Sequence, residues 1–146
     1  MRILGVDFGD SRTGLAVCDA QEMLASPLAV VHEHNFEKCA DKVAEYAKNE
    51  RIEEIVVGYP LNMNNTVGER AKKCALFGRM LGERTGLKVT MWDERSTTVS
   101  AAYYLNETNV RGKKRKNTID AVAAVIILES YLQYRKNTAA NVPLMN

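Results

Sequence analysis

The run Ile55-Val56-Val57-Gly58 offers no polar side chain to either side of an extended backbone. Successive side chains of a strand point to opposite faces, so a short β-branched run without alternation must be covered on both. That asks for a sheet held between helices, and the rest of the chain supplies the parts. Residues 2–7 form another apolar run, which ends on Asp7. Phe8-Gly9-Asp10-Ser11-Arg12 then carries turn chemistry, and residues 13–18 are again β-prone, which predicts a hairpin with Asp7 closing its first strand. A third strand is expected over 26–31, where Pro27 suits an edge.

From residue 36 the period changes. Phe36, Ala40, Val43, Ala44 and Ala47 recur at helical spacing, with Asn35 as N-cap, predicting a helix over 36–50. The doubly buried strand 55–58 opens into a polar loop, and a second helix is expected over 67–85, with Gly86 as its left-handed C-terminal residue. Residues 87–92 read as the last strand, running into Asp93-Glu94-Arg95. A helix capped by Ser96, Thr97 or Thr98 follows to about residue 105. The last helix, over 119–135 and started by Asn117-Thr118, is apolar nearly all round at first, which means burial against the sheet. A hairpin-rich start followed by strand–helix alternation predicts an α/β fold, a mixed sheet with helices on both faces. At 146 residues the chain is one domain, taken as 1–137 with a flexible tail over 138–146.

Composition narrows the setting. No apolar run approaches the ~18 residues that cross a bilayer. The N-terminal run meets Asp7 too early to be a signal peptide, so the expected compartment is the cytoplasm and no membrane partner is expected. Cys18, Cys39 and Cys74 are odd in number and lack a Cys-x-x-Cys pair, which suits small buried residues better than a disulfide or zinc site.

The chemistry has to come from carboxylates. There is no Gly-x-x-x-x-Gly-Lys loop, Gly-x-Gly-x-x-Gly fingerprint or Gly-x-Ser-x-Gly elbow, and the only histidines, His32 and His34, fall in a strand-to-helix connection and read as surface residues. Asp7 and Glu94 are expected to end neighbouring strands, at the sheet edge where α/β proteins place their ligands. Asp120 opens the helix that packs on the same sheet. Each has a plain alternative: Asp7 capping its turn, Glu94 neutralised by Arg95, Asp120 favoured by the helix dipole. Together, three carboxylates in one cleft repel unless a cation is present, and hard oxygen ligands without His or Cys select Mg²⁺ or Mn²⁺. Two such ions ~3.5–4 Å apart suit phosphodiester hydrolysis. Within Arg111-Gly112-Lys113-Lys114-Arg115-Lys116, five of six residues are cationic. Arg111, Lys113, Lys114, Arg115 and Lys116, expected in the loop before Asp120, would contact phosphate oxygens, with Arg12 a further contact beside Asp7. Asp10 and Asp93 lie closer to solvent and are left as background.

Four blocks, GVDFGDSRTGLAV (5–17), VGYPLNMNNTVGERA (57–71), DERSTT (93–98) and KRKNTIDAVAAVIILESYL (114–132), occur in this order. Through them the chain closely resembles the YqgF/RuvX family of ribonuclease-H-like proteins over residues 2–135. The resemblance implies a five-stranded mixed sheet, three antiparallel strands then two parallel, flanked by helices. It also implies that Asp7, Glu94 and Asp120 form a metal-binding catalytic triad and that Asn62 lies at the rim near the substrate. The implied activity is a Mg²⁺- or Mn²⁺-dependent nuclease, with two ions in place when substrate is bound. It would act as a Holliday junction resolvase or mature the 5′ end of precursor small-subunit ribosomal RNA in association with the ribosome. Symmetric resolution of a four-way junction requires two active sites, and so a homodimer on that substrate. Two rivals remain. A non-catalytic nucleic-acid-binding assembly factor would have little reason to gather acids beside a phosphate patch. An actin-like ATPase would need a second domain that 146 residues do not supply.

Overall fold

The computed structural model describes residues 1–61, 64, 66–94 and 112–140, with the backbone alone for 112–120, 139 and 140. Five strands, β1 (Ile3–Asp7), β2 (Arg12–Cys18), β3 (Ala25–His32), β4 (Glu54–Tyr59) and β5 (Lys88–Asp93), form one sheet in the order β3-β2-β1-β4-β5. β1 and β2 pair antiparallel, as do β2 and β3, whereas β4 and β5 add in parallel to β1. The expected mixed sheet is therefore present. β3 is an edge strand, and the pairing with β2 shifts register between Leu15 and Ala16 beside Pro27, which has no N–H to give to a ladder.

Strand alternation sorts the core into two layers. Leu4, Val6, Leu15, Ile55 and Val57 face α1 (Phe36–Asn49) and α2 (Glu69–Thr85), meeting Val43, Phe77 and Leu81. Ile3, Ala16 and Val56 point the other way, onto α3 (Gly112–Ala140) through Ala124, Ile127, Leu128 and Tyr131. β4 is covered on both sides, as its unbroken apolar run requires. Asn35 caps α1 by accepting from the Lys38 N–H, and Gly86 ends α2 at φ 71°.

Three boundaries differ from expectation by more than one residue. α2 starts at Glu69, not 67, because Gly68 takes the extended N-cap conformation. α3 starts at Gly112, so Lys113, Lys114, Arg115 and Lys116 belong to a helix and not to a loop. Lys and Arg are good helix formers, and the long apolar stretch behind them gives the helix a tertiary anchor that offsets their mutual repulsion. At its far end α3 continues to Ala140, carried by Ala139-Ala140. The helix expected over 96–105 lies outside the described residues.

Candidate active site

Asp7 closes β1 in register with Gly14 of β2. Ile3 and Gly5 face α3, so alternation turns Asp7 to that face too. The turn after it is tightly built. A Cβ at Gly9 would sit 2.1 Å from the Arg12 carbonyl oxygen, and the buried Thr13 hydroxyl accepts from Gly9 N–H at 3.3 Å. Phe8 points into the opposite layer and locks the turn against Phe36 and Phe77, with ring centroids 5.5 and 4.5 Å away.

Asp7 and Glu94 do not end neighbouring strands, as the sequence had suggested: β4 lies between β1 and β5. Parallel crossovers carry no local signal for which strand pairs with which, so adjacency in the sheet was not readable. Contact is made possible by Gly58 on β4. Gly58 pairs with Trp92, and Glu94 directly follows the last β5 residue, Asp93. A Cβ at position 58 would lie 2.5 Å from Glu94 Oε1 and 2.7 Å from Ile127 Cδ1. Through that gap the Glu94 carboxyl reaches the Asp7 side chain and hydrogen-bonds to it.

Burial pushes the Glu94 carboxyl above its ordinary range. Arg70, on the first turn of α2, pulls the other way, as does the hydrogen bond with Asp7, but burial prevails. The same negative cluster is felt below it: the buried Cys74 thiol is pushed up to about 11, by burial first and then by Glu94, Asp7 and Asp10, against Arg70. Two part-buried oxygen donors meeting in this way suit a hard divalent cation, because ionising both without one is costly. Among the described residues no three His, Cys, Asp or Glu side chains gather into a metal cluster. Asp120 lies in α3 and is described by its backbone alone.

Arg12 opens β2 opposite His32 and, by alternation, shares the α3 face with Gly14 and Ala16, beside Asp7. Asn62 and Arg111 lie outside the described residues, and Lys113, Lys114, Arg115 and Lys116 are described by backbone alone. Asp10, left as background, is exposed and pairs with Lys73 Nζ at 2.7 Å. The residue that sequence reasoning missed is Arg70. Its Nη2 donates to the Phe8 carbonyl at 2.6 Å, next to Asp7, and its charge acts on Glu94. The one available signal was its place in the block 57–71. A lone Arg on a charged helix face otherwise looks solvated.

A five-stranded sheet of this order, with β4 and β5 parallel to β1 and helices on both faces, is the ribonuclease-H-like fold. RuvC of Thermus thermophilus in complex with a Holliday junction substrate superposes with TM-score 0.66 at 16% identity, covering 94% of this chain and 97% of that one. Fowlpox virus resolvase bound to Holliday junction DNA does so with TM-score 0.55 at 13% identity, covering 92% and 99%. At such identities the likeness is one of fold. Within that class the chain belongs to the RuvX family, described as Holliday junction resolvase, which it matches over residues 1–134. A relative from Agathobacter rectalis, named "Putative pre-16S rRNA nuclease", is 44% identical over 141 residues, covering 94% of this chain and 99% of its own. One of the same name from Listeria monocytogenes is 42% identical over 134 residues, covering 90% and 97%.

Proposed function

We propose that this protein is a Mg²⁺- or Mn²⁺-dependent endonuclease that hydrolyses nucleic-acid phosphodiesters with Asp7, Glu94 and Asp120. The observation that carries this reading is the hydrogen bond between Asp7 and Glu94 across Gly58, in a site where burial disfavours the ionised carboxyl. The course of α3 supports Asp120 as the third ligand. Tyr131 meets Glu54 at the start of β4, and Ile127 approaches Gly58 near its end. Earlier residues of the helix therefore run toward the edge where Asp7 and Glu94 stand, and Asp120 comes one turn before Ala124.

Asp7, Glu94 and Asp120 would hold the divalent cation, which would supply an activated water and stabilisation of the leaving oxygen. The chain's own groups prepare the site. Gly58 keeps its floor open, and Ile127 shields it from one side. Arg70 fixes the backbone beside Asp7. In this reading Arg111, Lys113, Lys114, Arg115 and Lys116, which precede Asp120 in the chain, contact phosphate oxygens together with Arg12 and Asn62 and add affinity without sequence readout.

Precursor small-subunit ribosomal RNA is the preferred substrate, because relatives named for it match almost the full length at over 40% identity. Branched DNA is the alternative, and a homodimer on the substrate belongs to that role. No helix among the described residues is long and apolar enough to cross a membrane. We place the activity in the cytoplasm, around the ribosome. The test is a panel of labelled precursor ribosomal RNA, four-way junction DNA and RNA–DNA hybrid at matched salt, with Mg²⁺, Mn²⁺ or EDTA. Metal-dependent cleavage of the precursor RNA is expected. Metal-independent binding without cleavage of any substrate would make the protein a non-catalytic assembly factor.

A further inference from the structure

Arg70, whose charge acts on Glu94, does not stand alone. A shallow cleft of about 520 Å³ opens on the other side of the sheet edge, lined by Asp10, Glu69, Arg70, Lys72, Lys73 and Leu76. Three cations there face two carboxylates. Two of the cations are fixed on one residue: Arg70 Nη2 donates to the Phe8 carbonyl at 2.6 Å, and Lys73 Nζ stands 5.9 Å from the centre of the Phe8 ring. Phe8 follows Asp7 directly and is itself wedged between Phe36 and Phe77, so both cations are tied to the backbone that carries the catalytic carboxylate. Asp10, from the same turn, reaches back to them, 2.7 Å from Lys73 Nζ and 3.9 Å from Arg70 Nη1.

Stability gives little reason for this arrangement. All three side chains are about half exposed or more, and ion pairs in water contribute little to folding. Positioning gives a better one. Arg70 and Lys73 are one turn apart on one face of α2, the spacing at which helix side chains are neighbours. The positive end of the α2 dipole lies at the same cleft.

We infer that Arg70 and Lys73 form a phosphate-binding subsite for the nucleic-acid strand that enters the Asp7–Glu94 site from the α2 side, with Asp10 as a built-in competitor that the phosphates displace. The guanidinium keeps its bond to Phe8 and turns its remaining donors from the long contact with Asp10 to a phosphate oxygen, while Lys73 exchanges a carboxylate for a phosphate. The ligand is the phosphodiester backbone of RNA or DNA. The inference rests on the nuclease reading only for the identity of that ligand.

The test is equilibrium binding of the full-length protein, in EDTA, to labelled precursor ribosomal RNA and to labelled four-way junction DNA over a range of salt. Arg70→Gln and Lys73→Gln should each weaken binding by about tenfold. Each should flatten the dependence of log K on log salt by about 0.9 for duplex or 0.7 for single strands. Asp10→Asn should tighten binding, which a structural salt bridge would not do. The probe that responds more strongly identifies the strand that uses the cleft. Thermal unfolding of each variant separates misfolding of Arg70→Gln, which also loses the Phe8 contact, from loss of the subsite; Lys73→Gln and Asp10→Asn leave that contact in place. Unchanged affinity and salt slope in Lys73→Gln, with no gain in Asp10→Asn, would overturn the inference even if metal-dependent cleavage is robust. Conversely, shifted affinities in a protein that cuts nothing would sustain the subsite while removing the nuclease reading.

Discussion

Glu94, just past the end of β5, hydrogen-bonds to Asp7 at the end of β1 although a complete strand, β4, runs between those two. The reach is available only because Gly58, the β4 residue under the gap, has no side chain. Both the chemistry and its fragility follow from that geometry.

Gly58→Ala should therefore damage the site more than the fold. Its new methyl would lie 2.5 Å from Glu94 Oε1, a flexible side-chain end, and 2.7 Å from Ile127 Cδ1. Overpacking of this kind costs about 1–3 kcal/mol. Urea unfolding should show a loss in that range, and the cleavage rate of the folded variant should fall far more than its stability. Wild-type cleavage by Gly58→Ala would show that the Asp7–Glu94 contact does not depend on the missing side chain at position 58.

Glu94 also fixes the sign of a pH effect. Burial raises its pKa in the folded protein from an ordinary 4.5, so between 4.5 and the raised value the native state binds more protons than the unfolded one. Stability contributed by this group is present below 4.5 and is lost as pH rises through the window. In EDTA, the melting temperature of Glu94→Gln relative to wild type should therefore increase with pH across that window, and added Mg²⁺ should stabilise the wild type more at pH 8 than at pH 5. A difference between the two proteins that does not vary with pH would contradict this.

At the far end of β4 the buried Glu54, only 4% exposed, accepts a 2.7 Å hydrogen bond from the Tyr131 hydroxyl, with Lys88 and Arg135 3.7 and 3.9 Å away. Tyr131→Phe leaves a buried carboxylate oxygen without its donor. It should cost about 1–3 kcal/mol in denaturant unfolding while leaving cleavage unchanged, because this network lies at the opposite end of the strand from Gly58.

Gly5 lets α3 settle onto β1. An added Cβ would stand 2.8 Å from Leu128 Cβ and 3.0 Å from the Ala124 carbonyl oxygen, neither of which is a flexible chain end. Gly5→Ala should displace the helix that carries Asp120 and lower both stability, by about 1–3 kcal/mol, and cleavage. Retention of both would show that α3 has slack at this point.

These relationships differ in how far they could be read beforehand. The strands carrying Asp7 and Glu94 are legible because apolar runs end on carboxylates, and α1 and α2 because their apolar period and terminal signals agree. Adjacency was not legible: nothing local in residues 55–58 or 87–93 says that β4 enters between β1 and β5, and so nothing marks Gly58 as the floor of a site. The start of α3 was misplaced because Lys and Arg serve a solvated loop and a helix end equally well. Glu54 and Arg70 look like surface charges in the sequence. Tyr131 gives the first a buried partner, and the carbonyl of Phe8 gives the second a reason to sit beside Asp7.

If Asp7, Glu94 and Asp120 act together on a shared divalent cation, as proposed, cleavage needs each of them. The decisive quantity is the single-turnover cleavage rate of labelled substrate by wild type, Asp7→Asn, Glu94→Gln and Asp120→Asn, each with Mg²⁺, Mn²⁺ and EDTA. The wild type should cleave only with metal, and every variant should lose at least about a hundredfold, without additivity when two are combined. Undiminished cleavage by any of the three variants, or by the wild type in EDTA, would rule out a shared catalytic cation at these residues.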